Sequence, residues 1–260
     1  MNHTKLNNAI DALKKLSDAQ FSLVESIINQ FSTPYLLKKG NPSSDIVNDD
    51  VLRDFGDTLR IHDIFSQEPF TKDKFEYAFV KVLIDDGVDA LMAPKGNPGN
   101  DIIINKTPVS LKTQADKSIK ANKIHISKFM ELGKGQWTDN PEDLIGLRDS
   151  FLKHMESYDR IFTLRCLNRG PEIWTYELVE IPKNLLQESQ FGVFKMMINS
   201  SQFPKPGYCD ILDASGFLKF QLYFDGGTER KLQIKNIAIE NCLIHGTWSF
   251  EIYKEPEILD

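Results

Sequence analysis

Apolar residues recur every three or four positions at the start of the chain, as Leu6, Ile10, Leu13 and Leu16 and again as Phe21, Val24, Ile28 and Phe31. That spacing predicts two amphipathic helices. Ser17 stands between them with Gln20 three residues on, the pattern of a capping box in which each side chain accepts from the other residue's backbone N–H. A helix-turn-helix reader of DNA would share this outline, but the second helix holds few basic residues, and a packing hairpin is the better reading. Residues 33–50, with Pro34, Gly40 and Pro42 among Asn and Asp, predict a loop. Helical periodicity returns over residues 72–86, where Phe75, Phe79, Val82 and Leu83 share a face and Gly87 can cap the C-terminus.

The period then changes. A glycine- and proline-rich turn over residues 94–100 leads into two short apolar runs, 102–104 and 109–111, parted by Asn105-Lys106-Thr107-Pro108. This predicts a β-hairpin. Asn140-Pro141 opens a helix reaching to about residue 157, with proline at the first helical position. Residues 161–167 and 173–181 read as strands, and most of 207–252 does too, with turns at 213–216 and 225–227. The expected fold is mixed α/β, helical at its N-terminus and strand-rich at its C-terminus. It is read as one domain over 1–260, with a helical part to about 70, a core over about 71–185 and a strand-rich part from about 186.

Composition narrows the function classes. Of 260 residues, 41% are hydrophobic and 26% charged, a globular balance. The formal net charge of -6 argues against a generally basic nucleic-acid binder, so local sign changes matter more. One is clear: from Lys95 to Lys134 eight lysines (95, 106, 112, 117, 120, 123, 128, 134) face three acids, Asp101, Asp116 and Glu131. Such a positive island suits a phosphate-facing surface. Cys166, Cys209 and Cys242 are odd in number and lack a CxxC partner, which disfavours a disulfide framework or zinc site and predicts buried thiols in a reducing compartment. His62, His125, His154 and His245 show no metal-ligand spacing. With neither a secretory core nor a run of membrane-span length, the expected location is cytoplasmic.

The hairpin carries the candidate chemistry. It sets Asp101 at the start of one strand and Lys112 near the end of the next, with Ser110 and Lys112 on one face because side chains alternate. Magnesium takes one or two carboxylates together with phosphate oxygens and waters, and a neighbouring lysine can orient the attacking water and stabilise the charge that develops.

These residues resemble the PD-(D/E)XK nuclease superfamily, and within it the type II restriction endonucleases. Asp101 matches the first acidic position, Lys112 the lysine, and Gly96-x-x-Gly99-x-Asp101-Ile102 the approach to it. The stretches Ile161-Phe162-Thr163-Leu164-Arg165 and 176–183 are similar to the strands downstream of the motif in many of those enzymes, so the resemblance spans about 72–185. Ser110 stands in the second acidic slot, a departure that some restriction enzymes share when a helix supplies a glutamate instead. Glu76 and Glu131 are the candidates, Glu76 being preferred because its helix leads into the turn. A basic helical segment is expected after Lys112.

The resemblance implies a restriction-endonuclease-like fold, with a mixed central sheet flanked by helices. It also implies Mg2+-dependent cleavage of double-stranded DNA at a short specific sequence by a homodimer, with a cognate DNA methyltransferase as functional partner. The residues expected to meet DNA are Lys95, Asn97, Gln114, Lys134, Gln136, Arg230 and Lys231, whereas Trp137 beside them is better read as a core anchor. Two other readings stay open: a repair or mobile-element nuclease of the same superfamily, and a DNA-binding module that has lost catalysis.

Overall fold

The period-3.6 and period-2 stretches separate into helices and two sheets in a computed structural model describing residues 3–66, 68–94, 96, 99–117, 119–133, 137–170 and 173–254. The N-terminal third holds α1 (His3–Leu13), α2 (Asp18–Ser32), β1 (Tyr35–Lys39), α3 (Asp49–Phe65) and α4 (Lys72–Asp85). The middle holds β2 (Ala90–Met92), β3 (Ile102–Ile104), β4 (Thr107–Gln114), β5 (Lys123–Glu131), α5 (Leu144–His154), β6 (Arg160–Arg169) and β7 (Ile173–Glu180). Toward the C-terminus lie α6 (Lys183–Gln187), β8 (Val193–Met196), β9 (Gly207–Leu212), β10 (Leu218–Asp225), β11 (Lys231–Ala238) and β12 (Leu243–Glu251).

A seven-stranded sheet runs in the order β1-β12-β7-β6-β4-β3-β2 and a five-stranded sheet in the order β5-β11-β10-β9-β8. The parallel pairing is β4 with β6, which sets Lys112 opposite Thr163. It arises from the long crossover between them, which contains β5 and α5. The larger sheet separates two apolar cores. Val109, Leu111, Phe162 and Leu164 pack with Phe55, Phe75 and Phe79 from α3 and α4. Ile161, Val179 and Ile181 pack with Phe151 of α5, Phe129 of β5 and the inner residues of β10 and β11. The mixed α/β architecture, with helices against the sheet, is therefore the expected one.

Local signals carried through where they were complete. Ser17 and Gln20 form both halves of the capping box. Gly87 has φ +79, the left-handed conformation that a helix C-terminus favours. Yet α1 buries no residue and α2 only Gln30, so the N-terminal pair packs little of its apolar face.

Two expectations are corrected, and one helix that the apolar spacing did not reveal is added. Part of the predicted loop over 33–50 is β1, an edge strand paired with β12 some two hundred residues away, so the pairing has no local signature. The expected basic helix after Lys112 is instead β5, in which Ile124 and Ile126 are buried alternately with half-buried Lys123 and His125. Period-2 burial against β11 outweighs the helical propensity of its lysines. Helix α3 extends the helical part beyond the elements that the apolar spacing predicts. It starts where the Asn48 side chain accepts from Val51 N–H, and buries Val51, Leu52, Phe55 and Leu59.

Candidate active site

Asp101 is held by backbone geometry before its side chain does anything. Its N–H donates to the Val109 carbonyl at 3.0 Å, and its own carbonyl accepts from Ala93 N–H at 3.0 Å. It thus ties together the two strands flanking β3. Gly99, two residues earlier, has φ +88, and a Cβ there would come within 2.7 Å of His154 Nε2 and 2.8 Å of Tyr158 Cε1. Only glycine accommodates both the backbone and the neighbours.

The Asp101 carboxylate is saturated on one oxygen by β4. Leu111 N–H donates to Oδ2 at 2.6 Å and the Ser110 hydroxyl does so at 3.3 Å. Ser110 thus orients the first carboxylate. The other oxygen, Oδ1, takes the Lys72 ammonium at 2.6 Å, and Lys72 also lies 3.2 Å from Glu76 Oε1, one helical turn along α4. Burial works against the Lys72 charge, but Asp101 and Glu76 outweigh it and hold its pKa above the ordinary lysine value. Burial raises the Glu76 pKa, with Lys72 opposing.

Lys112 projects from the same face of β4 as Ser110 and is 6% exposed. Its ammonium lies 5.1 Å from the centre of the Phe129 ring. Burial brings its pKa down to about 8, with Asp101 opposing and Lys72 reinforcing the shift. Four buried polar atoms have no hydrogen-bond partner among the described residues in this neighbourhood: Asn100 Oδ1, His154 Nε2, Tyr158 Oη and, opposite Lys112, Thr163 Oγ1. Orphaned polar atoms at such depth are costly unless something polar meets them.

Asp101, Glu76, Ser110 and Lys112 are therefore brought to one place. Glu131 is not: its side chain is 71% exposed and paired at 3.0 Å with Lys128, which also bonds Glu229. Gln114, expected at the DNA, turns inward and accepts from Arg165 Nε at 3.2 Å. Lys231 lies 3.5 Å from Glu229, and the Arg230 guanidinium lies 6.0 Å from the centre of the Trp137 ring. Trp137 is buried and donates to the Lys205 carbonyl, as a core anchor should. Lys95, Asn97, Lys134 and Gln136 lie outside the described residues. Lys72, His154 and Tyr158 were missed by sequence reasoning. For Lys72 a signal existed, its i,i+4 relation to Glu76; His154 and Tyr158 approach only through the tertiary fold.

A pair of carboxylates bracketing a cation, beside a second, buried lysine, fits a divalent cation's preference for hard oxygen ligands. No group of three or more His, Cys, Asp or Glu side chains placed to hold a metal occurs among the described residues. Two protein carboxylates, with water and phosphate completing the shell, is the set that magnesium commonly accepts.

Comparison with known proteins bears on the reaction class. A restriction endonuclease solved in complex with substrate DNA aligns with 70% of this chain and 71% of its own at 14% identity, with a TM-score of 0.34, a likeness too remote to bear on the fold. The type II restriction enzyme SmaI of Serratia marcescens is 48% identical over 209 residues, covering 80% of this chain and 83% of that one. The family model for SmaI, a type II site-specific deoxyribonuclease, matches residues 9–250, and the chain belongs to that family.

Proposed function

We propose that this deoxyribonuclease hydrolyses double-stranded DNA at a short sequence with Mg2+ held by Asp101 and Glu76, and with Lys112 acting on the attacking water and the phosphate. The observation that carries the reading is the Lys72 ammonium, 2.6 Å from Asp101 and 3.2 Å from Glu76. These two carboxylates already hold a positive charge beside Lys112. When bound, the cation would stabilise charge on the scissile phosphate and acidify a water. Ser110 and the Leu111 N–H keep Asp101 oriented. Lys112, kept from bulk solvent, offers its ammonium to the negative charge that grows on the phosphate, an interaction stronger there than in water.

The chain is read as one endonuclease domain, since β12 pairs with β7 and β1 with β12, so strands distant in sequence share the sheet that holds the site. It is read as a homodimer, because two-fold symmetry matches a palindromic site and supplies one centre per strand. Exposed Leu6, Ile10, Phe21 and Leu23 on the N-terminal helices favour such pairing. The functional partner is a methyltransferase protecting the same sequence, and the site of action is the cytoplasm; no helix among the described residues is long and apolar enough to cross a membrane. Arg230 and Lys231 are read as DNA contacts outside the chemistry.

Plasmid cleavage tests the reading. The wild type should give discrete fragments with Mg2+ and none with chelator. Asp101→Asn should lose activity and recover part of it in excess metal, and Lys112→Ala should lose activity at unchanged DNA affinity. Near wild-type cutting by Lys112→Ala refutes the assignment.

A further inference from the structure

The face of β4 that carries Ser110 and Lys112 continues to Gln114, about 7 Å beyond Lys112 along the strand. There it opens into a cleft of about 410 Å³ lined by Lys120, Lys123, His125 and Lys235, together with Asp116 and Asn236. We propose that this cleft holds the DNA backbone through its phosphates, next to the scissile position, so that Lys120, Lys123 and Lys235 set affinity and register without taking part in bond cleavage. The proposal rests on the catalytic centre being at Asp101 and Lys112.

Charge favours a phosphate ligand here. In a chain of net charge -6, Lys128 is neutralised by Glu131 and Glu229, Lys195 by Asp210 and Lys219 by Glu188. Lys120, Lys123 and Lys235 form no ion pair among the described residues. Three unpaired ammonium groups and one carboxylate around a cleft leave it strongly positive, complementary to consecutive phosphates.

Buried polar groups and a bulge hold both walls of the cleft in place. Arg165, wholly buried and paired with Glu177 at 2.6 Å, donates to the carbonyls of Lys120 at 2.7 Å, Ala121 at 3.2 Å and Lys123 at 3.0 Å. A buried guanidinium is costly, and directing its donors at one loop pins the segment that carries two of the three lysines. The opposite wall is a bulge. Ile126 pairs with Ile234 and Ile124 with Ile237, so β11 carries one extra residue, and Asn236 within it has φ +63. The bulge brings both Lys235 and Asn236 to the cleft, as bulges beside functional sites do. Lys235 is further held over the Tyr223 ring, 3.6 Å from its centre.

Binding of the full chain to a duplex, measured across a salt series in chelator so that no cleavage occurs, tests this. Lys120→Gln/Lys123→Gln and Lys235→Gln should each bind at least about tenfold more weakly at low salt. The slope of log affinity against log salt should fall by about 0.9 for each phosphate no longer neutralised. With Mg2+, KM should rise while kcat stays near the wild-type value, opposite to Lys112→Ala, so failure of the catalytic reading and failure of the cleft are told apart. Lys128→Gln, outside the cleft and already ion-paired, is the control. Unchanged affinity and slope in the cleft variants, or an equal loss in Lys128→Gln, overturns the proposal. Lys120, Lys123, Lys128 and Lys235 are at least partly exposed, so unfolding temperatures of their variants should match the wild type.

Discussion

Lys72 donates to Asp101 at 2.6 Å, placing the charge of an α4 side chain on the carboxylate that begins β3. A divalent cation bound by Asp101 and Glu76 must compete with that ammonium. Lys72→Met should therefore lower the Mg2+ concentration giving half-maximal cleavage by about 3–10-fold, the equivalent of one partly exposed ion pair of roughly 1 kcal/mol. Metal titration of the cleavage rate reads this directly. A higher requirement would show that Lys72 serves the bound state.

Lys112 carries a stability cost. Its pKa, brought down to about 8 by burial, lies below the unfolded lysine value, so between those values the unfolded chain binds more protons. Stability contributed by this group is thus lowest below pH 8 and rises towards pH 10. Lys112→Met should be more stable than wild type at pH 7 in chelator, by on the order of 3 kcal/mol at most. The gap should close as pH rises towards 10. Denaturant unfolding at the two pH values checks both sign and trend; a gap independent of pH would mean that the ammonium is well solvated, and one that widens with pH that Asp101 and Glu76 outweigh burial.

Glu76→Gln should cost about 100-fold or more in cleavage rate, and Glu131→Gln no more than about threefold. Glu76 is 14% exposed and bonded within the site, while Glu131 is 71% exposed and paired with Lys128. Single-turnover rates at saturating DNA decide it. The reverse ranking would transfer the second carboxylate to β5.

Gly99→Ala should be harmful beyond its effect on folding. The positive φ alone costs a β-carbon about 1–2 kcal/mol, and the clashes with His154 and Tyr158 add to it. Relief requires the turn to move, and Asp101 moves with it. Cleavage should fall by more than the folded fraction does, when both are measured at one temperature. Proportional losses would make the glycine purely structural.

Much of the candidate site could be read from the chain. Asp101 and Lys112 are joined by a hairpin whose turn residues, apolar runs and alternation are all local, and the Asn105 and Lys106 backbones do adopt positive φ there. Glu76 was reachable because its helix carries its own period and runs into the same turn. The capping box at Ser17 and the C-cap at Gly87 likewise depend on neighbours a few residues away.

The elements beyond reach depend on partners distant in sequence. β1 exists because β12 offers it an edge, and β5 is a strand because β11 buries one side of it. Gln114 has the chemistry of a DNA reader, but Arg165, on the parallel neighbour of β4, claims its side chain. The positive island over 95–134 was legible as composition, but only the fold sorts its lysines. Lys128 goes to a carboxylate, Lys112 to a buried ring, and Lys120 and Lys123 to an open cleft. The order of residues specifies which chemical groups are present and which short segments present them, because backbone propensity and alternation act over a few residues. Which charges meet is left to the assembled sheets, since burial and Coulomb energy depend on distances that only they define.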